Sequence, residues 1–145
     1  MKKYLREIGL TYKSTPIKTN KVTDSQSAYN VIKQLFQDDI VLYESCFILC
    51  LDSNCNTIGY AKVSQGGTSS TAIDIKIIMK YAIGSLCSQL IIAHNHPNGK
   101  LEPSPNDMKI VNNLKKACDV MQIKLVDSLI LSENGYHSAA DLVSF

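Results

Sequence analysis

The apolar positions of the chain follow a helical period in some stretches and a strand-like pattern in others, which predicts a mixture of helices and strands. A first helix follows Thr23-Asp-Ser-Gln26, which resembles a capping box, and Asp38-Asp39 ends it. Its apolar stripe consists of Ala28, Val31, Ile32, Leu35 and Phe36. Residues 44–51 predict a strand, and a turn-rich segment joins it to a second strand that ends near Ser64, so the two form a hairpin.

A second helix and a buried strand are predicted after the hairpin. A Ser/Thr cluster offers an N-cap at Ser70 or Thr71 for a helix that reaches about Ile83, with Gly84 at its C-terminal end. The apolar residues 89–93 then predict a buried strand.

The last third of the chain predicts one long helix followed by short elements. The helix runs from Pro105 to about Met121, and its predicted inner face is Met108, Val111, Leu114, Cys118 and Met121. Residues 124–131 predict a strand, a short strand lies near Tyr136, and residues 139–143 predict a helical turn. Together these elements predict a mixed sheet with helices packed against it, of α/β or α+β type.

Length and composition are those of an ordinary globular protein. The chain has 145 residues, of which 45% are hydrophobic and 19% charged, so one compact domain with its own core is expected. No apolar run approaches the ~18 residues of a membrane span, and no hydrophobic signal core follows the N-terminal charges. Five cysteines without a C-x-x-C pair favour reduced thiols. These features predict a cytoplasmic protein that does not enter a membrane.

Positive charge is concentrated at the N-terminus. Residues 1–21 hold six cations (Lys2, Lys3, Arg6, Lys13, Lys18, Lys21) against Glu7 alone. Such an arm could contact DNA or another anionic partner, although a solvated chain end is the commoner explanation. The mixed pattern of residues 3–14 predicts an edge strand within this arm.

Two histidines and an aspartate stand where a strand gives way to a helix. His94 and His96 are two residues apart at the end of the predicted strand, so both imidazoles point to the same side of an extended backbone. Asp107 follows across a turn, and two imidazoles with a carboxylate are the ligand set of an open zinc site. Helix capping by Ser104, Pro105 and Asp107 explains the second half of this pattern without a metal. It does not explain the paired histidines, so metal binding is the preferred hypothesis.

A zinc site also needs a group that accepts a proton from water. Glu44 is the best upstream candidate, because an acid at the start of an apolar strand is unexpected unless that strand end faces a polar site. A solvent-exposed acid at a strand edge explains Glu44 equally well. Asp38 and Asp39 are rival acids in a predicted loop.

These residues together resemble a known family. The spacing His94-x-His96, seven residues, Ser104, two residues, Asp107 resembles the H-x-H-x7-S-x2-D pattern of the JAB/MPN (JAMM) metalloprotease fold. The fuller wording, His94-Asn-His-Pro-x-Gly followed by Pro-Ser-x-x-Asp107, resembles its RadC-like branch, bacterial proteins traditionally labelled DNA repair proteins. The resemblance runs from about residue 23 to the C-terminus, and it includes Gly67-Thr68, Asp127 and Gly135-Tyr136.

The resemblance implies a fold, a cofactor and a reaction. The fold would be a JAB/MPN, cytidine-deaminase-like mixed sheet flanked by helices, forming one domain over residues 1–145. His94, His96 and Asp107 would bind Zn²⁺, and Glu44 would be the general acid/base. Ser104 would hydrogen-bond the water or the developing oxyanion. The implied reaction is hydrolysis of a peptide or isopeptide bond in a peptide or protein substrate.

Two departures from the RadC-like pattern weaken one part of this expectation. Asp127 is followed by Ser128, where such chains commonly have histidine, and residues 1–22 predict no helix-hairpin-helix region. The expectation of duplex-DNA binding is weakened accordingly.

Two alternatives compete with the hydrolase. A nuclease is suggested by the string His94-Asn-His, but the residues that name the HNH nucleases are dispersed over a larger unit, whereas these are contiguous. A non-catalytic or DNA-associated binding protein could keep the fold without turnover. His137 is expected to be exposed, and the segments 66–70 and 97–101 are candidate rims of the site.

Overall fold

A five-stranded mixed sheet with helices on both faces forms the protein. The computed structural model describes residues 1, 4–66, 72–142 and 145. Its helices are α1 (Ser25–Phe36), α2 (Ile75–Gly84), α3 (Pro105–Val120) and α4 (Ala139–Leu142), with a 3-10 helix at Gln37–Val41. Its strands are β1 (Ser45–Leu51), β2 (Thr57–Gln65), β3 (Gln89–Asn95), β4 (Lys124–Ser132) and β5 (Gly135–Ser138).

The strands lie in the order β2-β1-β3-β4-β5. All neighbouring pairs are antiparallel except β3 and β4, which are parallel and are joined through α3. A parallel connection needs a crossover of this kind, and it returns the chain to the same end of the sheet. The C-terminal end of β3 and the N-terminal end of α3 therefore meet, and this meeting positions the candidate site.

Successive side chains of the central strands enter two separate cores. One face of β1 and β3, including Ile48, Leu90 and Ile92, packs against α2 and α3. The opposite face, including Phe47, Leu49 and Ile91, packs against α1. Both strands are apolar on both sides because each face is covered by helices. This confirms the predicted mixed sheet flanked by helices. No helix in the part of the chain that the structure describes has both the length and the apolar character of a membrane-spanning segment.

The N-terminal arm does not form the predicted edge strand. Residues 4–14 have no regular secondary structure, and the side chains of Leu5 and Ile8 are almost fully exposed. Farther along, Leu10 approaches Gly84, and segment 10–19 lines a groove of about 890 Å³ beside β2. The apolar residues of the arm do not alternate regularly, so they give no single face that would pair with the sheet.

Two helix starts differ from their predicted positions. The N-cap of α1 is Asp24, and it exchanges hydrogen bonds with Ser27 rather than forming the predicted Thr23–Gln26 box. Helix α2 begins at Ile75, where the side chain of Asp74 accepts a hydrogen bond from the backbone N–H of Lys76. The predicted caps at positions 70 and 71 lie outside the described residues. Aspartate and serine are about equally effective at the N-cap, and both helices have an aspartate there.

The inner face of α3 is also narrower than predicted. Leu114 and Cys118 are buried and Val111 packs against the same core, as expected. Met108 and Met121, however, are 58% and 45% exposed. They lie near the two ends of the helix, Met108 close to its first turn and Met121 at its C-cap.

Helix α2 ends in a Schellman motif that has leucine where glycine is usual. The N–H groups of Leu86 and Cys87 donate to the carbonyls of Ile83 and Ala82, and Leu86 has φ = 53°. Its side chain is 84% exposed, so little packing compensates for the left-handed backbone. We expect Leu86→Gly to raise the free energy of unfolding by about 0.5–1 kcal/mol, because relief of the backbone strain outweighs the added freedom of the unfolded chain.

Urea unfolding would measure this change, with Leu86→Ala as the control. Alanine keeps the Cβ atom and therefore the strain, so its free energy of unfolding should stay near that of the wild type. Equal stabilisation by alanine and glycine would show that the exposed leucine side chain, and not the backbone, is the unfavourable feature.

Candidate metal centre

The two histidines lie at the end of β3 that meets the start of α3. His94 is within the strand, opposite Cys46 of β1, and the residue is only 4% exposed. His96 follows the strand by one residue, and its backbone N–H donates to the carbonyl of Leu131 in β4. The extended backbone between them places both rings on the face covered by α2 and α3, as the two-residue spacing predicts.

Asp107 closes a triangle with the two rings. The Nε2 atoms of His94 and His96 are 3.1 Å apart. Nε2 of His94 lies 3.3 Å from Oδ1 of Asp107, and Nε2 of His96 lies 3.2 Å from Oδ2. Tetrahedral ligands bound to zinc at about 2.0–2.1 Å are separated from each other by about 3.3 Å. The spacing and the chemistry of these three groups therefore fit one small divalent cation.

The ring of His96 is held in the orientation that a metal ligand requires. Its Nδ1 atom lies 2.9 Å from the carbonyl oxygen of Lys100. A neutral ring that donates from Nδ1 has its lone pair on Nε2, which faces His94 and Asp107. The turn that brings Lys100 back to the ring requires Gly99, whose φ of 85° is left-handed.

The start of α3 holds Asp107 in place. Oγ of Ser104 accepts a hydrogen bond from the backbone N–H of Asp107, and Oδ2 of Asp107 accepts one from the backbone N–H of Ser104. Burial raises the pKa of Asp107, but its side-chain contacts with His94 and His96 and the hydrogen bond from the backbone N–H of Ser104 more than offset this, and the net pKa lies well below the usual range. Asp107 is therefore a carboxylate whose oxygens face the rings.

Glu44 reaches the same place from another strand. It precedes β1 by one residue rather than opening it, and it lies on the same side of that strand as Cys46, the neighbour of His94. One carboxylate oxygen of Glu44 and the donor atoms of His94, His96 and Asp107 all lie within 4.8 Å of one another. The four residues therefore form one cluster, although Glu44 is fifty positions from His94 in the sequence.

The environment of Glu44 favours its protonated form more than water does. Burial raises the pKa of Glu44, the positive charge of the two histidines lowers it, and the carboxylate of Asp107 raises it again, with a net increase. A carboxyl group with a raised pKa beside a metal site is suited to accepting and returning a proton.

Other predicted residues lie outside the four-residue cluster. Ser104 is exposed at the N-cap of α3, where it contacts Asp107, and Asp39 is exposed in the 3-10 helix. The side chain of Asp38 and the segment 67–70, part of one predicted rim, lie outside the described residues. His137 is half-buried on β5 rather than exposed, and within the described part of the chain it does not join the cluster.

Asn95 lies between the two histidines, is completely buried, and was not predicted from the sequence. Its signal was a polar residue at a position that alternation assigns to the apolar face toward α1.

Known proteins resemble this chain over most of its length. The model of the RadC-like JAB domain matches residues 22–143. A UPF0758 protein of Flavobacterium johnsoniae is 30% identical over 136 residues, which cover 93% of this chain and 58% of that protein. A UPF0758 protein of Porphyromonas gingivalis is 36% identical over 121 residues, covering 83% of this chain and 52% of that protein.

A third UPF0758 protein, from Psychrobacter cryohalolentis, is 35% identical over 136 residues, covering 93% of this chain and 59% of that protein. The chain thus spans between about half and three fifths of the length of these curated relatives. The match of the family model includes all four residues of the cluster. The chain belongs to the family of RadC-like JAB domain proteins.

Proposed function

We propose that this chain is a zinc-dependent hydrolase of JAMM type that cleaves peptide or isopeptide bonds. One observation carries the proposal: three donor groups lie at the spacing of a tetrahedral zinc site, with a fourth, proton-accepting group beside them. Two imidazoles and a carboxylate suit zinc and leave a fourth position open, which is the arrangement of catalytic rather than structural zinc sites.

Each residue of the cluster has a role in this proposal. His94, His96 and Asp107 hold the ion. When bound, zinc supplies Lewis acidity to a carbonyl oxygen and makes water nucleophilic near neutral pH. Glu44 accepts the proton of the attacking water and returns it to the leaving amine. Ser104 accepts the N–H of Asp107 through its hydroxyl oxygen, so its own proton remains available to donate to the developing oxyanion.

Zinc-dependent cleavage of an amide bond tests the proposal directly. The protein would be stripped with a chelator, reloaded with zinc, and assayed on a mixture of internally quenched peptides and on a matched mixture with lysine isopeptide bonds. We expect cleavage of at least one mixture by the zinc-loaded protein alone. A protein that binds zinc tightly but cleaves neither mixture would instead be the non-catalytic binding protein that is the alternative.

The stabilisation by zinc should increase with pH. The hydrogen bond to Asp107 raises the pKa of His96 above its ordinary value, burial lowers it, and the carbonyl of Lys100 raises it further. In the metal-free protein, protonation of His96 therefore stabilises the fold fully below about pH 6.5, and this stabilisation is lost as the pH rises through the raised pKa. Zinc binds only the unprotonated ring, so the stabilisation of the fold by zinc increases as the pH rises.

Thermal unfolding with and without zinc measures the difference. The rise in Tm caused by zinc should be larger at about pH 7.5 than at about pH 5.5. An equal rise at both pH values would indicate that zinc binds to groups other than the imidazoles.

A further inference from the structure

The side chain of Asn95 points away from the candidate metal centre. It is the last residue of β3, and it lies between His94 and His96 in the sequence. Because side chains alternate along an extended backbone, the two rings face α2 and α3 while the amide faces α1 and the 3-10 helix. Its exposure is 0%, in a sheet whose neighbouring positions on that face, Ile91 and Ala93, are apolar.

This buried amide makes three hydrogen bonds, all to one short segment. Oδ1 accepts from the backbone N–H of Ser45 at 2.8 Å. Nδ2 donates to the carbonyl oxygens of Ile40, at 2.8 Å, and Tyr43, at 2.7 Å. Two of these partners are the residues immediately before and after Glu44. The amide therefore grips the backbone on both sides of the acid.

Glu44 itself also forms a backbone hydrogen bond. The carbonyl of Glu44 accepts a hydrogen bond of 2.7 Å from the N–H of Gly66. The segment from Leu42 to Glu44 has neither helical nor strand structure of its own. Beyond the backbone hydrogen bonds of Leu42 and Tyr43 to Asp39 and of Gly66 to Glu44, the three hydrogen bonds of the Asn95 amide hold its course into β1.

We propose that Asn95 is a positioning residue: it fixes Glu44 against the metal ligands that flank Asn95 in the sequence. The inference rests on the proposed function, because the position of Glu44 matters for catalysis only if the centre binds metal. The tripeptide His94-Asn95-His96 then has two roles. From one face of the strand it supplies two metal ligands, and from the other face it fixes the backbone on both sides of Glu44.

An amide is the side chain that this clamp requires. It offers an acceptor and two donor hydrogens in one plane, which matches one N–H and two carbonyls. A carboxylate has no donor for the carbonyls, and a hydroxyl has only one. Misplacement of a catalytic group by about 1 Å can reduce a rate by about a hundredfold, so loosening of this segment has a measurable consequence.

The test compares Asn95→Ser with Glu44→Gln, with the double variant and with a control. Ile91→Ala is the control because Ile91 is buried on the same face of β3 and lies outside the cluster. All proteins are assayed loaded with zinc and below their melting temperatures. Should Asn95→Ser fail to fold, Asn95→Gln keeps both amide groups on a longer side chain and replaces it.

The expected result is strong coupling between the two positions. Asn95→Ser should retain zinc and lower kcat for the quenched peptides by about a hundredfold with little change in KM. In the Glu44→Gln background the same change should have almost no effect, because the group that it displaces is already inactive. Ile91→Ala should leave kcat near that of the wild type. Independent, multiplying losses from Asn95→Ser and Glu44→Gln would overturn the proposal.

Two further readouts need no substrate. In the cobalt(II)-loaded protein, the visible spectrum of Asn95→Ser should move toward that of Glu44→Gln, with no added change in the double variant. In the metal-free protein, faster amide exchange should be confined to about residues 40–45. An unchanged cobalt spectrum, or exchange that rises evenly over the sheet, would overturn the proposal. A wild-type protein that cleaves no peptide but shows these changes would contradict only the hydrolase function.

Discussion

Asp107→Ala is expected to abolish stoichiometric zinc binding. The carboxylate of Asp107 is the group that joins the two histidine rings, with one oxygen 3.3 Å from His94 and the other 3.2 Å from His96. Its loss leaves two ligands. Loss of a residue that only supports a ligand lowers metal affinity about 10–100-fold, so the affinity for zinc should fall by more than this. Metal analysis of protein purified without added metal should find about one zinc per chain in the wild type and none in the variant. His96→Ala should behave in the same way.

Ser104→Ala is the matched control for this experiment. Asp107 also belongs to the capping box of α3, so its replacement costs helix stability as well as a ligand. Ser104→Ala removes the hydroxyl from the same box, at about 1 kcal/mol, while the carboxylate remains. This variant should therefore keep its zinc. Loss of zinc from both variants alike would show that the cap, and not the carboxylate, is what the metal depends on.

Glu44→Gln is expected to separate metal binding from catalysis. Glutamine has nearly the same shape as glutamate but cannot accept a proton at neutral pH. The three proposed ligands, His94, His96 and Asp107, are untouched, so zinc content should match that of the wild type. The rate of peptide cleavage should fall by about 10²–10⁴-fold, the usual contribution of a general acid/base.

Measurement of metal content and of kcat on the same preparations decides the role of Glu44. Loss of zinc from Glu44→Gln would mean that Glu44 is itself a ligand. Full activity with full zinc would mean that another group transfers the proton. Asp39→Asn provides a comparison, because Asp39 is an exposed acid in the 3-10 helix just upstream and should affect neither quantity.

The three candidate metal ligands could be grouped from the sequence because they are close together along the chain. His94 and His96 are related by strand geometry alone, and Asp107 by a turn and a helix cap, both of which are local. The boundaries of β3, α3 and the hairpin could likewise be predicted to within a few residues, because they depend on local sequence patterns.

Glu44 could be named from the sequence but not placed. Its approach to the histidines depends on the pairing of β1 with β3, a contact between residues about fifty positions apart. The partners of Asn95 could not be predicted for the same reason, since positions 40, 43 and 45 lie in the preceding part of the chain. Long-range pairing cannot be obtained from local periodicity.

The N-terminal arm was predicted to contain a strand that the structure does not show. Its mixed apolar and polar pattern predicted an edge strand, but a strand also needs a neighbouring backbone, and residues 4–14 have no such partner among the described residues. The exposed methionines at the two ends of α3 show the same limit, because periodicity gives the direction of a side chain and not the extent of the surface that covers it.

A zinc-loaded crystal measured at the zinc absorption edge tests the central claim most directly. We predict one strong anomalous peak between His94, His96 and Asp107, with nitrogen ligands at about 2.0–2.1 Å, a carboxylate oxygen at about 2.0–2.2 Å and solvent in the fourth position. A crystal grown in saturating zinc whose anomalous peaks all lie away from these three side chains would contradict it.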